Sequence, residues 1–305
     1  MRGVTRPAEK KKHGKRLFTL RGEKGKRPRR VLVVVAVVAL LIVMTRLLRA
    51  EPMALSSAEI ATIWDNGVLR VGIRSDVPGM GEDGSGLEAE LAALLAERIM
   101  GADADRSSGT AVELVDVTSM NVAVKLTDGD IDAAICLMPK DAFSGYSYSS
   151  SYYTDPIYFI AKEGGEDVKI TKTTVIGYIQ SASSTSLYVP TGCMYNALSS
   201  YIEARKDDGF TMSGNTAKFA SYDELFRALD SGRADVIVLT GIMAAKYEDQ
   251  YSFSVCGEQL GTVDYAVACL SDNSAVAAVA DMMLSEMRAD GTLDALKQKY
   301  GLPTN

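Results

Sequence analysis

A ten-residue pattern that occurs twice limits the fold of this chain more than any other feature. Residues 126 to 135 read Leu-Thr-Asp-Gly-Asp-Ile-Asp-Ala-Ala-Ile, and residues 229 to 238 read Leu-Asp-Ser-Gly-Arg-Ala-Asp-Val-Ile-Val. In each copy an amphipathic stretch stops at a glycine, Gly129 or Gly232, that can take the left-handed cap conformation. Two residues further on, an aspartate leads into an apolar β-run. The pattern therefore predicts a helix turning into a buried strand, twice. Copies 103 residues apart are too distant for a solenoid array and suit two similar α/β lobes. In such sheets ligands sit outside the carboxyl ends of the strands, so both runs are expected to point at a shared cleft.

Charge divides the 305 residues into two unlike parts. Residues 1 to 30 hold 13 Lys/Arg and two Glu, whereas residues 51 to 305 hold 18 Lys/Arg against 37 acids. A body that acidic repels phosphate backbones, which argues against nucleic-acid binding. The basic run abuts Val31 to Met44, fourteen consecutive apolar residues, and so reads as a cytoplasmic flank ahead of a membrane-inserting segment. Fourteen residues rise about 21 Å, and extension to Leu48 with Arg46 snorkelling gives about 27 Å. No Ala-x-Ala site follows. Residues 31 to 48 are expected to be a signal anchor or a signal peptide, with the acidic body outside the cytoplasm either way.

The only histidine is His13, which excludes a Ser-His-acid triad or a His-ligated metal in the body. There is no P-loop or G-x-G-x-x-G pattern, and no cofactor is expected. The cysteines Cys136, Cys193, Cys256 and Cys269 form no C-x-x-C pair. Cys136 and Cys269 lie in apolar runs where small buried thiols are common, leaving Cys193 with Cys256 as the disulfide to test first.

Pattern along the body predicts a first strand at 68–73 and an irregular, glycine-rich connection at 74–86. Leu87, Leu91, Leu94, Leu95 and Ile99 then recur at helical spacing. A strand at 112–117, a short helix at 122–126 and a strand at 131–137 complete a βαβαβ unit. A second unit is expected from strands at 174–179, 216–219 and 234–239 with helices at 193–204 and 222–229. Phe159 to Ala161 and Thr262 to Leu270 read as strands crossing between the lobes. The Tyr- and Ser-rich stretch between Phe143 and Tyr158 reads either as a solvated loop packed on the nearest lobe or as rings lining the cleft, with Tyr146 and Tyr152 facing it. The last forty residues are expected to be helical. Met282, Met283 and Met287 there read as core filler, and Thr292 as the cap of a final helix after Gly291.

Four segments, in order, resemble the extracytoplasmic solute-binding proteins of the polar amino acid ABC transporter family. They are Val68-Leu-Arg-Val-Gly-Ile-Arg-Ser-Asp-Val-Pro78, Gly86-Leu-Glu-Ala-Glu-Leu-Ala92, the pair of Gly-x-x-Asp strands, and Arg288-Ala-Asp-Gly-Thr-Leu-Asp-Ala-Leu-Lys-Gln-Lys-Tyr-Gly301. The resemblance implies an α/β protein of the type II periplasmic-binding fold, two Rossmann-like lobes joined by a two-strand hinge, here preceded by one N-terminal membrane helix. It divides the chain into a basic tail at 1–30, the membrane segment at 31–48, lobe 1 at 55–160 plus 262–305, and lobe 2 at 161–261.

The resemblance also marks what is missing. Amino-acid-binding members grip the ligand carboxylate with an arginine soon after the third strand; here no arginine occurs from 107 to 204, and only Lys140 stands near that place. The acid that holds the ligand ammonium at the end of the lobe 2 strand aligns with Thr240, and the stacking aromatic after the first strand falls near Met80. Candidate ligand-binding residues are therefore Met80, Met138, Lys140, Ser183, Ser184 and Thr240. The expected role is to close over a small polar molecule, not a standard α-amino acid, for delivery to an ABC permease. A membrane-anchored sensory or interaction module on the same fold is the alternative. An extracytoplasmic dehydratase-like enzyme using carboxylate or lysine chemistry comes after it.

Overall fold

In the computed structural model, residues 54–304 are described except for 102–110, 119, 142 and 180–189, all within one compact unit spanning Leu47–Asn305. The membrane helix expected at 31–48 lies outside the described residues. Among the described residues no helix is long and apolar enough to cross a membrane.

Among them a single sheet of eight strands runs in the order β2-β1-β3-β8-β4-β7-β5-β6. At one end β1 (Leu69–Ile73) lies between β2 (Val112–Asp116) and β3 (Ala133–Ala134), all parallel. At the other, β5 (Ile176–Ile179) lies between β6 (Thr216–Phe219) and β7 (Val236–Thr240), again parallel. Between them an antiparallel ribbon of β4 (Tyr146–Lys162) and β8 (Phe253–Leu270) runs through both halves.

The repeated pattern folds the same way in both halves. Helices α3 (Val122–Thr127) and α6 (Tyr222–Ser231) are each followed by a left-handed glycine, with Gly129 and Gly232 both at φ 74°. The aspartate after it clips the new strand to its neighbour. Asp132 N–H donates to the Arg70 carbonyl at 2.8 Å, while Arg70 N–H donates to Asp132 Oδ2 at 2.8 Å. Asp235 N–H donates to the Val175 carbonyl at 2.9 Å, and Val175 N–H to Asp235 Oδ2 at 2.8 Å. The carboxylate takes an N–H that the start of a parallel ladder would otherwise leave without an acceptor. In the first half Arg70 adds its guanidinium, with Nη2 donating to Asp132 Oδ1 at 2.7 Å.

Helix α1 (Ala58–Asn66) starts at Ser57, whose hydroxyl accepts from Ile60 N–H, and precedes β1. Helix α2 (Leu87–Met100) buries Leu87, Leu91, Leu95 and Ile99 of the predicted stripe, with Leu94 half-buried at its edge. Helix α4 (Pro190–Glu203) and the short α5 (Met212–Asn215) connect β5 to β6, and α7 (Gly241–Tyr247) follows β7 directly. Helices α8 (Ser274–Asp290) and α9 (Thr292–Lys299) end the chain, with Met282, Met283 and Met287 in the core.

Four expectations change. The Tyr/Ser stretch is the first part of β4 rather than a loop: Tyr153, Asp155, Ile157 and Phe159 alternate inward. Register shifts at 148–153 break the period of two earlier in the strand and hide it from pattern reading, whereas the shift at 157–159 places its extra residues on β8. Thr292 does not cap α9; its N–H donates to Asp290 Oδ1 at 2.9 Å, and Gly291 both ends α8 and precedes α9. All four cysteines are free, so Cys193 and Cys256 form no disulfide. The strand expected at 131–137 shrinks to Ala133–Ala134, with Leu137 in a left-handed conformation at φ 57° just beyond it.

Candidate functional site

The ribbon aims the two halves at each other. The chain leaving β3 runs along β8 from Ala268 through the bridge of Pro139 with Tyr265, and Lys140 N–H donates to the Asp264 carbonyl at 2.8 Å. β7 runs along β4 the opposite way, from Ile160 opposite Ile237 to Ile157 opposite Thr240. Their carboxyl ends therefore face one another over ribbon residues 154–157 and 262–265, the position where open α/β sheets hold ligands.

Asp155 sits at the centre of that stretch and is fully buried. Its Oδ1 accepts from Ile242 N–H at 3.1 Å and its Oδ2 from the Tyr265 hydroxyl at 3.1 Å. Burial pushes its carboxyl up to about 6, against the lowering effect of hydrogen bonds from Thr240, Ile242, Tyr265 and Gly241. The approach is close enough that a Cβ at Gly241 would meet Asp155 Oδ1 at 3.0 Å.

The connection after β1 supplies a second cluster. Arg74 grips Asp76 in a fork, Nε to Oδ1 at 2.6 Å and Nη2 to Oδ2 at 2.8 Å. From the other half, Lys246 on α7 pairs its Nζ with the same Asp76 Oδ2. Burial alone would raise the Asp76 carboxyl; the hydrogen bonds from Arg74 and Lys246 outweigh it and hold the group well below the usual carboxylate range.

Glu88, in the first turn of α2, is the third charged feature. Its Oε1 accepts from Leu137 N–H at 2.8 Å and from the Tyr152 hydroxyl at 2.6 Å. Full burial pushes it up to about 7, opposed by those hydrogen bonds and by the nearby Arg74 charge. The carboxylate ties the end of β3 to the ribbon and steadies the strained turn at Leu137.

The residues expected to bind ligand separate into three groups. Met80 and Met138 are interior, Met80 with no exposed surface and Met138 packed among Val117, Val122, Leu126 and Ala268. Lys140 is exposed beside the ribbon. Thr240 is buried at the end of β7, where its Oγ1 accepts from Met243 N–H at 3.3 Å and its hydroxyl meets Asp155. Lys140 and Thr240 thus flank one stretch of ribbon from opposite sides. Ser183 and Ser184 lie outside the described residues. Tyr146 is half-buried, and Tyr152 is buried against Glu88.

Residues 69–303 match the model of bacterial extracellular solute-binding proteins, family 3. The chain belongs to this family. A curated relative of these solute-binding proteins is the ABC transporter glutamine-binding protein GlnH of Bacillus subtilis (strain 168). It is 22% identical over 251 residues, covering 79% of this chain and 84% of the relative. Among solved structures, the amino acid ABC transporter substrate-binding protein AbpA of Streptococcus pneumoniae, bound to L-arginine, is 19% identical with a TM-score of 0.54. That match covers 79% of this chain and 97% of the other. The ancestral amino acid-binding protein AncCDT-1, a precursor of cyclohexadienyl dehydratase, matches at 21% identity and a TM-score of 0.55, covering 79% and 98%. At these identities the likeness carries the fold, the type II architecture of solute-binding proteins. Among the described residues no His/Cys/Asp/Glu group could hold a metal ion.

Arg74, Asp76, Glu88, Asp155 and Lys246 were not among the residues predicted from sequence. The signal for two of them was position: Arg74 is the first residue after β1, and Lys246 lies in the helix that β7 runs into.

Proposed function

We propose that this protein is an extracytoplasmic binding component that closes two lobes over a small polar molecule and delivers it to an ABC permease, the molecule not being a standard α-amino acid. The observation that carries the reading is the Asp76–Lys246 pair. It joins the connection after β1 to the helix after β7, across the place where the two carboxyl ends meet. Contacts that span both lobes are what a hinged trap uses to favour its closed state. Family membership supports the class of function. The unusual specificity rests on the absence of arginine from 107 to 204 and on Thr240, whose side chain caps α7 instead of presenting a charge.

The lobes would comprise 55–160 with 262–305, and 161–261. Residues 31–48 would hold the protein at the membrane or be removed as a signal peptide. Lys140, Ser183 and Ser184 remain the rim positions from which polar contacts to the ligand are expected, while the buried Met80, Met138 and Thr240 would shape the wall from beneath.

A thermal-shift screen of the full chain against amino acids, peptides, amines, carboxylates and sugars tests this reading. A ligand at about 100 times its dissociation constant adds roughly 2.7 kcal/mol, which is a clear shift in midpoint. Micromolar binding of a common amino acid, measured by calorimetry, would overturn the specificity claim. The same Asp76–Lys246 pair also motivates the second reading, a sensory or interaction module, because the chain's own charges join the lobes. Recovery of a non-permease receptor from membranes, with silence across the screen, would favour that reading.

A further inference from the structure

We propose that the cleft takes an anionic ligand, gripped by Arg74 from the first half and Lys246 from the second, and that Asp76 stands in for the ligand's acid until it is displaced. This rests on the reading of the cleft as a solute site and names the chemistry of what it holds.

Position gives the first argument. Arg74 leaves the carboxyl end of β1 and Lys246 lies on the helix that β7 enters, so the two cations approach from opposite halves. Among the described residues the other arginines of the first half pair elsewhere: Arg70 with Asp132, Arg98 with Glu286, and Arg288 with the Ser150 hydroxyl and Ser151 carbonyl of the ribbon. A fork that grips a carboxylate bidentately is what Arg74 already forms.

Charge and exposure give the second. Two cations share one carboxylate, and the pair of cations forms the drier part of the cluster. The Arg74 and Lys246 side chains are 9% and 19% exposed, whereas Asp76 is 50% exposed. The acid is the wet member, and it rides on an irregular connection containing Gly79, Gly81 and Gly84 rather than on a strand or long helix. Glu88, also close to Arg74, is tied to Tyr152 and Leu137. Burial raises it to about 7, so at neutral pH it supplies less than a full opposing charge. A ligand carboxylate or phosphate entering between Arg74 and Lys246 would replace Asp76 with a charge of the same sign.

The test is calorimetric titration of the full chain in low-chloride buffer with five probes: succinate, inorganic phosphate, the neutral isostere succinamide, the dication putrescine, and L-glutamine. Binding of succinate or phosphate, with succinamide weaker by about 100-fold, is the expected result; whichever anion is tighter identifies a planar or tetrahedral acid. Arg74→Lys, which keeps the charge and loses the fork, should weaken that anion about 10-fold, and Arg74→Ala about 100-fold. Asp76→Asn should tighten it several-fold, because the internal competitor loses its charge; a purely structural ion pair predicts no such gain. Binding of succinamide, putrescine or L-glutamine in preference to both anions would overturn the inference and leave solute binding standing. Anion binding that is indifferent to Arg74→Lys and Arg74→Ala would overturn it too. Silence with all five probes and across the wider screen would remove the solute-site reading and this inference with it.

Discussion

The two halves use the same aspartate for the same task and reinforce it differently. Asp132 and Asp235 each close a pair of hydrogen bonds with the backbone of the adjacent parallel strand. Asp132 is largely covered and carries the Arg70 guanidinium as well, whereas Asp235 is exposed. What the repeat encodes is therefore strand pairing, and the ion pair is an addition confined to one copy. A second contrast lies deeper. Glu88 ties the first half to the ribbon through the backbone N–H groups of Leu137 and Arg74 and the Tyr152 hydroxyl; Asp155 ties the second through backbone N–H groups at the start of α7 and two hydroxyls. Both carboxyls are raised by burial, and both are held by donors from segments distant in sequence.

Removing the deeper ties should have the largest effect. Asp155→Ala orphans more buried donors than Glu88→Ala, and we expect losses of about 4 and about 3 kcal/mol respectively, at roughly 1–3 kcal/mol per stranded polar group before relaxation. Urea unfolding of the two variants checks the ranking; equal losses would mean that the donors find water.

The next effect is on pH. Folded Glu88 titrates near 7 against about 4.3 unfolded, so between those values the native state holds the extra proton. Its contribution to stability is present below about pH 4.3 and is lost as pH rises to 7, with a slope of up to about 1.4 kcal/mol per pH unit. Asp155 behaves likewise, its window closing near pH 6. Subtracting the Glu88→Gln curve from the wild-type curve should show a decline that continues beyond pH 6. A flat difference would assign the pH dependence to other groups.

For the clips, Asp132→Ala should cost about 1.5 kcal/mol and Asp235→Ala about 1, since only the first copy also loses its ion pair with Arg70. Arg70→Ala, the smallest change, should cost about 0.5 kcal/mol after discounting a partly exposed pair for solvent. In that background the two aspartate variants should become equal. Persistence of the gap would place the difference in burial rather than in the ion pair.

Much of this architecture is legible in residue order. Gly129 and Gly232 stop helices where their spacing says they should, and Thr216–Phe219 is a strand with the predicted bounds. The first part of β4 is not legible, because its irregular register scrambles the alternation that identifies a strand. The site is harder still. Met80 follows the first strand closely enough to suggest a cleft residue, yet the connection folds back and covers it completely. Arg74, Asp76 and Lys246 carry charge in stretches where charge is ordinary, and only the meeting of β3 with β7 along the ribbon gives their spacing meaning.

The ribbon also sets an order of events during folding. Its partners are far apart along the chain: Thr154 pairs with Asp264 and Tyr146 with Leu270. Closing so long a loop costs conformational entropy before any pairing compensates for it. β5, β6 and β7 lie within one continuous stretch and can assemble without waiting for the chain to end. The half of the sheet containing β1 is completed against β8 only after everything between has been made. The protein should therefore mature from its middle outward, and its most aggregation-prone species should be one in which β3 and the first part of β4 still wait for β8.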